Sequence, residues 1–164
     1  MIRFSKASDK EQIIELIELC FGDREKHGAY ENIPGRYLLY FDKWGRLVAL
    51  TGLVHNSEFR SGAEITWTCT HPDYRHKGIM HELFERLLAV TDEDIYCSCW
   101  KLSFKDKINL HHLMNDFGFE LVLESHKTAI YPHKCDIGEG CPYWGGEGCT
   151  CREDLYLRRG KING

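Results

Sequence analysis

The sequence predicts an α/β fold in which a mixed sheet packs against helices. Three observations predict it. The elements follow the order β-α-(α)-β-β-β-α-β-α-β-β. One strongly amphipathic helix sits mid-chain, from Gly78 to Val90. No internal repeat or low-complexity stretch interrupts the order, and 164 residues suit one domain with a real core.

Each element has its own signal. Ile2 to Ala7 reads as a short strand. Asp9 is placed to cap a helix from Lys10 to Phe21, where Ile13, Ile14, Ile17, Cys20 and Phe21 recur at helical spacing and Gly22-Asp23 ends the run. Arg24 to Arg36 reads as a short helix plus loop. Tyr37–Phe41 and Leu47–Val54 are strands joined by a hairpin turn at Asp42-Lys43-Trp44-Gly45-Arg46. Glu64–Thr70 is a further strand, rich in β-branched residues and broken by His71-Pro72-Asp73. In the helix from Gly78, residues Ile79, Met80, Leu83, Phe84, Leu87 and Leu88 make one apolar face. Ile95–Trp100 is a strand, and Ile108–Phe117 a helix stopped by Gly118. Phe119–Leu123 and Lys127–Tyr131 read as an antiparallel pair, and Asp154–Arg158 as one last strand.

Composition narrows the function. With 43% hydrophobic and 28% charged residues the chain matches ordinary globular proteins. A net charge of −4 with no broad basic face argues against nucleic acid as a partner. The longest apolar runs are short, such as Leu47–Leu50, so no membrane span is expected, and the polar start Met-Ile-Arg-Phe-Ser-Lys lacks the apolar core of a signal peptide. A cytoplasmic protein is expected. Its eight cysteines are then reduced thiols or metal ligands rather than disulfides.

The chemistry concentrates between Thr68 and Leu88. Thr68-Cys69-Thr70-His71-Pro72-Asp73-Tyr74-Arg75-His76-Lys77-Gly78-Ile79-Met80 runs from a strand through a short basic loop into a helix. The first N–H groups of a helix have no intrahelical partner, and the macrodipole adds positive charge. Gly78 lets the backbone approach an anion closely. Arg75 and Lys77 add charge, and His76 adds a donor. A pyrophosphate suits this place; the other reading is a plain strand-to-helix turn with solvated basic residues.

Arg75-x-x-Gly78-x-Met80, preceded by a strand and His-Pro-Asp-Tyr, resembles the coenzyme A signature of the GNAT N-acetyltransferase superfamily, Gln/Arg-x-x-Gly-x-Gly/Ala. Asn115-Asp116-Phe117-Gly118-Phe119-Glu120 resembles that family's helix end, Lys-Leu-Gly-Phe-Glu, and the element order resembles the family from residue 1 to about 131. The resemblance implies a GNAT-like α/β (α+β) fold with a mixed, mostly antiparallel central sheet flanked by helices, over residues 1–132. It implies acetyl-CoA as co-substrate and an amine acceptor, a small molecule or a peptide. Thr68, Cys69 and Thr70 take the positions that offer backbone groups to pantetheine. Arg75, His76, Lys77, Gly78, Ile79 and Met80 take those of the pyrophosphate loop. Met80 departs from the family's Gly or Ala.

The resemblance also implies catalytic groups. Glu64 matches the general base of the histone-acetyltransferase branch. The family's acid, a tyrosine, is replaced by Met114. His111 is the candidate substitute, with His112, Tyr96 and Ser98 as alternatives. The family's asparagine is displaced from Lys107 to Asn109, a candidate pantetheine contact. Cys97 and Cys99 share one strand face and read as buried small hydrophobes, with a nucleophilic Cys99 as the other reading.

From residue 133 to 164 the composition shifts to a Cys-rich extension packed on the same domain. Cys135, Cys141, Cys149 and Cys151 lie among Gly138, Gly140, Gly145, Gly146 and Gly148, with His133 as a spare ligand. Four thiolates are the ligand set of a closed structural zinc site. An iron–sulfur cluster, free thiols and adventitious disulfides are the other readings. Three functions compete: an acetyl-CoA-dependent N-acetyltransferase, a non-catalytic acyl-CoA-binding sensor, and a metal-stabilised interaction module. Neither the acceptor nor the oligomeric state is readable in the sequence.

Overall fold

In a computed structural model of the chain, the residues described are 1–21, 37–55, 62–101, 110–126 and 152–161. The expected helix and loop at 24–36, the expected strand at 127–131, Asn109 and the four tail cysteines lie outside them. Seven strands form one mixed, mostly antiparallel sheet: β1 (Ile2–Phe4), β2 (Tyr37–Phe41), β3 (Leu47–His55), β4 (Ala63–Thr70), β5 (Ile95–Lys101), β6 (Glu120–His126) and β7 (Arg152–Arg158), in the order β1-β2-β3-β4-β5-β7-β6. The helices among the described residues are α1 (Lys10–Phe21), α2 (Ile79–Leu88) and α3 (His111–Asp116). The chain divides into two compact units, Met1–Val54 with Ile65–Thr91, and His55–Glu64 with Asp92–Gly164.

In the first unit, β1 and β2 pair antiparallel with Ile2 opposite Tyr40, and β2 pairs antiparallel with β3 with Tyr37 opposite Gly52. The expected hairpin turn is present. Asp42 closes it by accepting the N–H groups of Trp44 and Arg46 on Oδ1, at 2.9 and 3.0 Å. The chain enters α1 differently from the sequence reading. A 3-10 turn over Ala7–Asp9 precedes the helix, and β1 ends at Phe4. Asp9 is the last residue of that turn and faces backwards. Its carboxylate accepts the Lys6 N–H and both arms of the Arg3 guanidinium, each at 2.7 Å. The bidentate fork outcompetes the forward cap, because a charge-assisted pair is stronger than one neutral backbone donor. Ile13, Ile14, Leu16, Ile17 and Cys20 form the buried face of α1 and pack in one cluster with Tyr37, Leu39, Phe41, Leu47, Leu50 and Cys69. The apolar spacing of α2 is borne out, with Ile79, Leu83, Phe84, Leu87 and Leu88 buried.

In the second unit, β7 lies between β5 and β6 and pairs antiparallel with both: Cys97 stands opposite Tyr156, and Leu121 opposite the other side of the same residue. The partner of β6 among the described residues is therefore a strand about 30 residues away in sequence, from beyond the cysteine-rich stretch. Ile95, Cys97, Cys99, Met114, Phe119, Tyr156 and Leu157 are buried. Asp94 ties the start of β5 to both neighbours in the chain fold: its carbonyl accepts the Ala63 N–H at 2.8 Å, and its carboxylate takes Gly160 N–H and Arg159, each at 2.8 Å.

Candidate functional site

The strand β4 is irregular at Trp67, where φ is +42°. A bulky residue in left-handed conformation is rare and costs on the order of 1–3 kcal/mol. Cross-strand contacts locate the cause. A Cβ on Gly52 would stand 2.8 Å from the Thr66 methyl, so these residues face each other. One step back along β3, the Thr51 hydroxyl bonds the Thr68 hydroxyl at 2.9 Å. Further on, His71 N–H donates to the Val48 carbonyl at 2.8 Å. One residue of β3 is thus matched by two of β4, and Trp67 is the extra one: a β-bulge. Its ring packs edge-on against Phe21 at 5.4 Å. A bulge turns backbone N–H and C=O groups out of the ladder, where a ligand can use them.

Past the bulge, the chain turns at Pro72–Tyr74. His71 Nδ1 accepts the Asp73 N–H at 3.2 Å, and Tyr74 donates its hydroxyl to Asp42 Oδ2 at 2.7 Å. Arg75 is extended, His76 is left-handed at φ +59° and Gly78 at φ +75°. Gly78 is the N-cap of α2 and brings no side-chain cap. The first α2 backbone bond, Glu82 N–H to the Gly78 carbonyl, is 3.1 Å. A Cβ on Gly78 would meet nothing within 4 Å, so open space lies in front of the helix start. The Arg75 guanidinium reaches back through Nε to the Thr70 carbonyl at 3.2 Å, and Lys77 Nζ bonds the Asp73 carbonyl at 2.7 Å while lying over the Tyr74 ring. Uncapped helix N–H groups, the dipole and two exposed cations give this loop the chemistry to attract an anion.

A family model described as an acetyltransferase (GNAT) domain matches residues 1–99, a span that holds both the bulge and the loop. The chain belongs to the GNAT acetyltransferase family. No curated protein matches it. Solved structures share the GNAT fold at low identity. An acetyltransferase of the GNAT family from Bacillus cereus matches with TM-score 0.68 and 13% identity, covering 98% of this chain and 97% of its own. The ribosomal-protein-S18-alanine N-acetyltransferase from Escherichia coli matches with TM-score 0.66 and 13% identity over 100% and 96%. A Mycobacterium tuberculosis protein solved in complex with CoA matches with TM-score 0.60 and 18% identity over 99% of each chain.

On this GNAT domain the residues expected from sequence fall as follows. Arg75 and the Cys20 thiol come together at the Thr70 carbonyl, and Cys69 is buried on β4. Thr68 is half-buried and held by Thr51. His76, Lys77 and Gly78 are exposed in the loop, Ile79 is buried and Met80 is half-buried beside it on α2. Glu64 lies on β4 three residues before Trp67, 8% exposed. His111 opens α3 and is half-exposed, with the Asn115 amide 3.2 Å from its Nε2. Met114 is fully buried and serves the core. Cys97 and Cys99 are buried with sulfurs 3.5 Å apart, as the packing reading expected. Among the described residues no group of three or more His, Cys, Asp and Glu is placed to hold a metal. No described helix is long and apolar enough to cross a membrane.

Sequence reasoning missed Trp67 and Cys20. Trp67 reads as an ordinary strand residue, and nothing local marks its left-handed backbone. Cys20 reads as one more core position of α1, yet its thiol meets Cys69 and Arg75, which hold it below its ordinary pKa against the effect of burial.

Proposed function

We propose that the chain is an acetyl-CoA-dependent N-acetyltransferase that passes the acetyl group to a primary amine by direct attack on the thioester. The observation that carries this reading is the pairing of a bulged β4 with an uncapped, glycine-led helix start flanked by Arg75. The loop N–H groups of His76 to Met80 with Arg75 and Lys77 receive the pyrophosphate. The backbone of Thr68, Cys69 and Thr70 meets the pantetheine, and Asn109 adds a side-chain contact. A backbone N–H turned out at the bulge polarises the thioester carbonyl.

In this reading Glu64 takes a proton from the acceptor ammonium. The free amine attacks the carbonyl carbon, a C–N bond forms, and the C–S bond breaks to release the coenzyme thiolate. His111 returns a proton to that sulfur, its ring oriented by the Asn115 amide 3.2 Å from Nε2. A thiol near pKa 8.5 is a tolerable leaving group, so a weak acid slows the step without stopping it. A soluble cytoplasmic location fits this chemistry. The four tail cysteines, Cys135, Cys141, Cys149 and Cys151, are proposed from donor chemistry alone to hold one structural zinc.

A second reading, an acyl-CoA sensor without turnover, is favoured by Met114, which fills the family's tyrosine position and is buried. Thiol release from acetyl-CoA, followed over a panel of small amines and of peptides with free N-termini or lysines, separates the two. Turnover with any acceptor supports the enzyme. Binding without turnover across the panel leaves the sensor.

A further inference from the structure

Tyr74 sits in the turn between β4 and α2, and the transfer chemistry leaves it unused. Three contacts meet on its side chain. The hydroxyl donates to Asp42 Oδ2 at 2.7 Å. The ring stands edge-on to the His71 ring, with centroids 5.7 Å apart. Lys77 Nζ lies over the ring face, 4.8 Å from its centroid. Asp42 is a fixed post, because its other oxygen closes the β2–β3 turn through the Trp44 and Arg46 N–H groups. From the same turn, Arg46 Nη2 comes within 2.7 Å of His71 Nε2. The β2–β3 turn therefore holds the start of the loop at two places, His71 and Tyr74. Further along, Lys77 stands between left-handed His76 and Gly78. Its ammonium is set by the Tyr74 face and by the Asp73 carbonyl, 2.7 Å away.

We propose that Tyr74 is a positioning residue for the coenzyme site: it moors the loop to the β2–β3 turn through Asp42 and holds Lys77 ready for the pyrophosphate. This rests on the coenzyme reading above and deepens it. Tyr74 acts through Lys77 rather than on the ligand. A free lysine side chain samples many rotamers, and binding a phosphate orders it at a cost in entropy. On the Tyr74 face part of that ordering is done before the ligand arrives. The ammonium has three N–H donors. One serves the Asp73 carbonyl, and a phosphate oxygen can take another. The bond to Asp42 keeps the ring where Lys77 can use it, since it ties a side chain of the loop to a turn already closed by its own hydrogen bonds.

A double-mutant cycle on the full chain separates positioning from simple support of the loop. Acetyl-CoA is titrated by calorimetry into wild type, Tyr74→Leu, Lys77→Met and the double variant, with circular dichroism confirming that each is folded. Tyr74→Leu loses the ring and the hydroxyl together, and its Kd is expected to rise about fivefold. Tyr74→Phe keeps the ring under Lys77 and loses only the bond to Asp42, so a rise of about twofold is expected. In the Lys77→Met background the effect of Tyr74→Leu is expected to shrink to less than about twofold, because the group it positions is gone. If Tyr74→Leu fails to fold, Tyr74→Phe runs the same cycle, and its effect should then vanish in that background. A Kd unchanged by substitution at Tyr74 overturns the proposal. So does a loss of the same size with and without Lys77, which would make Tyr74 a support of the loop alone. Both results leave the coenzyme reading standing, whereas a wild-type chain that binds no acetyl-CoA overturns that reading and the proposal with it.

Discussion

Thr51 and Thr68 stand hydroxyl to hydroxyl at 2.9 Å, one residue out of step with the Gly52–Thr66 contact beside them, and Trp67 absorbs the difference. The strain at Trp67 makes an unusual prediction. Alanine at this backbone keeps the Cβ penalty, and glycine does not. Both lose the ring packed on Phe21. Trp67→Gly is therefore expected to be more stable than Trp67→Ala by about 1 kcal/mol, the reverse of the usual order within a strand. Urea unfolding of the two variants checks this; an alanine variant as stable as the glycine one removes the argument for strain.

Glu64→Gln keeps the shape of β4 and removes the proposed base. A loss in kcat of about 100-fold is expected. Stopped assays across about pH 6 to 9 read it. Turnover that is unchanged over that range means the base lies elsewhere.

The Arg3–Asp9 pair predicts an acid dependence. The Arg3 fork holds the Asp9 carboxyl below its unfolded value of 3.8, with the Lys6 N–H adding to it against the cost of burial. Between the two values the unfolded chain binds more protons, so stability rises with pH. The contribution is complete above the unfolded value and is lost as pH falls through the folded one. Asp9→Asn is expected to cost about 2 kcal/mol at neutral pH. The gap between wild type and variant should shrink as unfolding curves are repeated below about pH 4, near that unfolded value. A gap that stays constant to pH 2 or so would show that the fork is not the cause.

The tail cysteines predict about one equivalent of zinc per chain in protein purified without a metal-affinity step. Elemental analysis gives the answer. Under about a tenth of an equivalent counts against the site.

How much of this was legible beforehand follows from range. Elements with dense local signals came through: the apolar stripe of α2, the Asp42–Arg46 turn, and the β2, β3 and β5 runs all depend on neighbours close in sequence. The turn from β4 into α2 was legible for the same reason, since His71 to Gly78 lie in one short run. Three features were not. Asp9 was assigned a forward cap because its competitor, Arg3, is chosen by geometry. The place of β7 inside the sheet depends on pairing with β5 and β6 across long separations in sequence, which periodicity cannot express. The bulge at Trp67 is set by the register between β3 and β4, so no residue within β4 announces it.

The glycine-led start of α2 is the proposed receptor of the acetyl-CoA pyrophosphate. The most direct test is a calorimetric titration of acetyl-CoA into the wild-type chain and Gly78→Ala, with circular dichroism confirming that the variant is folded. A Cβ at residue 78 would stand in the open space before the helix, the place proposed for the phosphate oxygens. One acetyl-CoA per wild-type chain is expected, with a Kd raised about tenfold or more in the variant. No binding by wild type at millimolar acetyl-CoA, or equal Kd in the two proteins, contradicts the account.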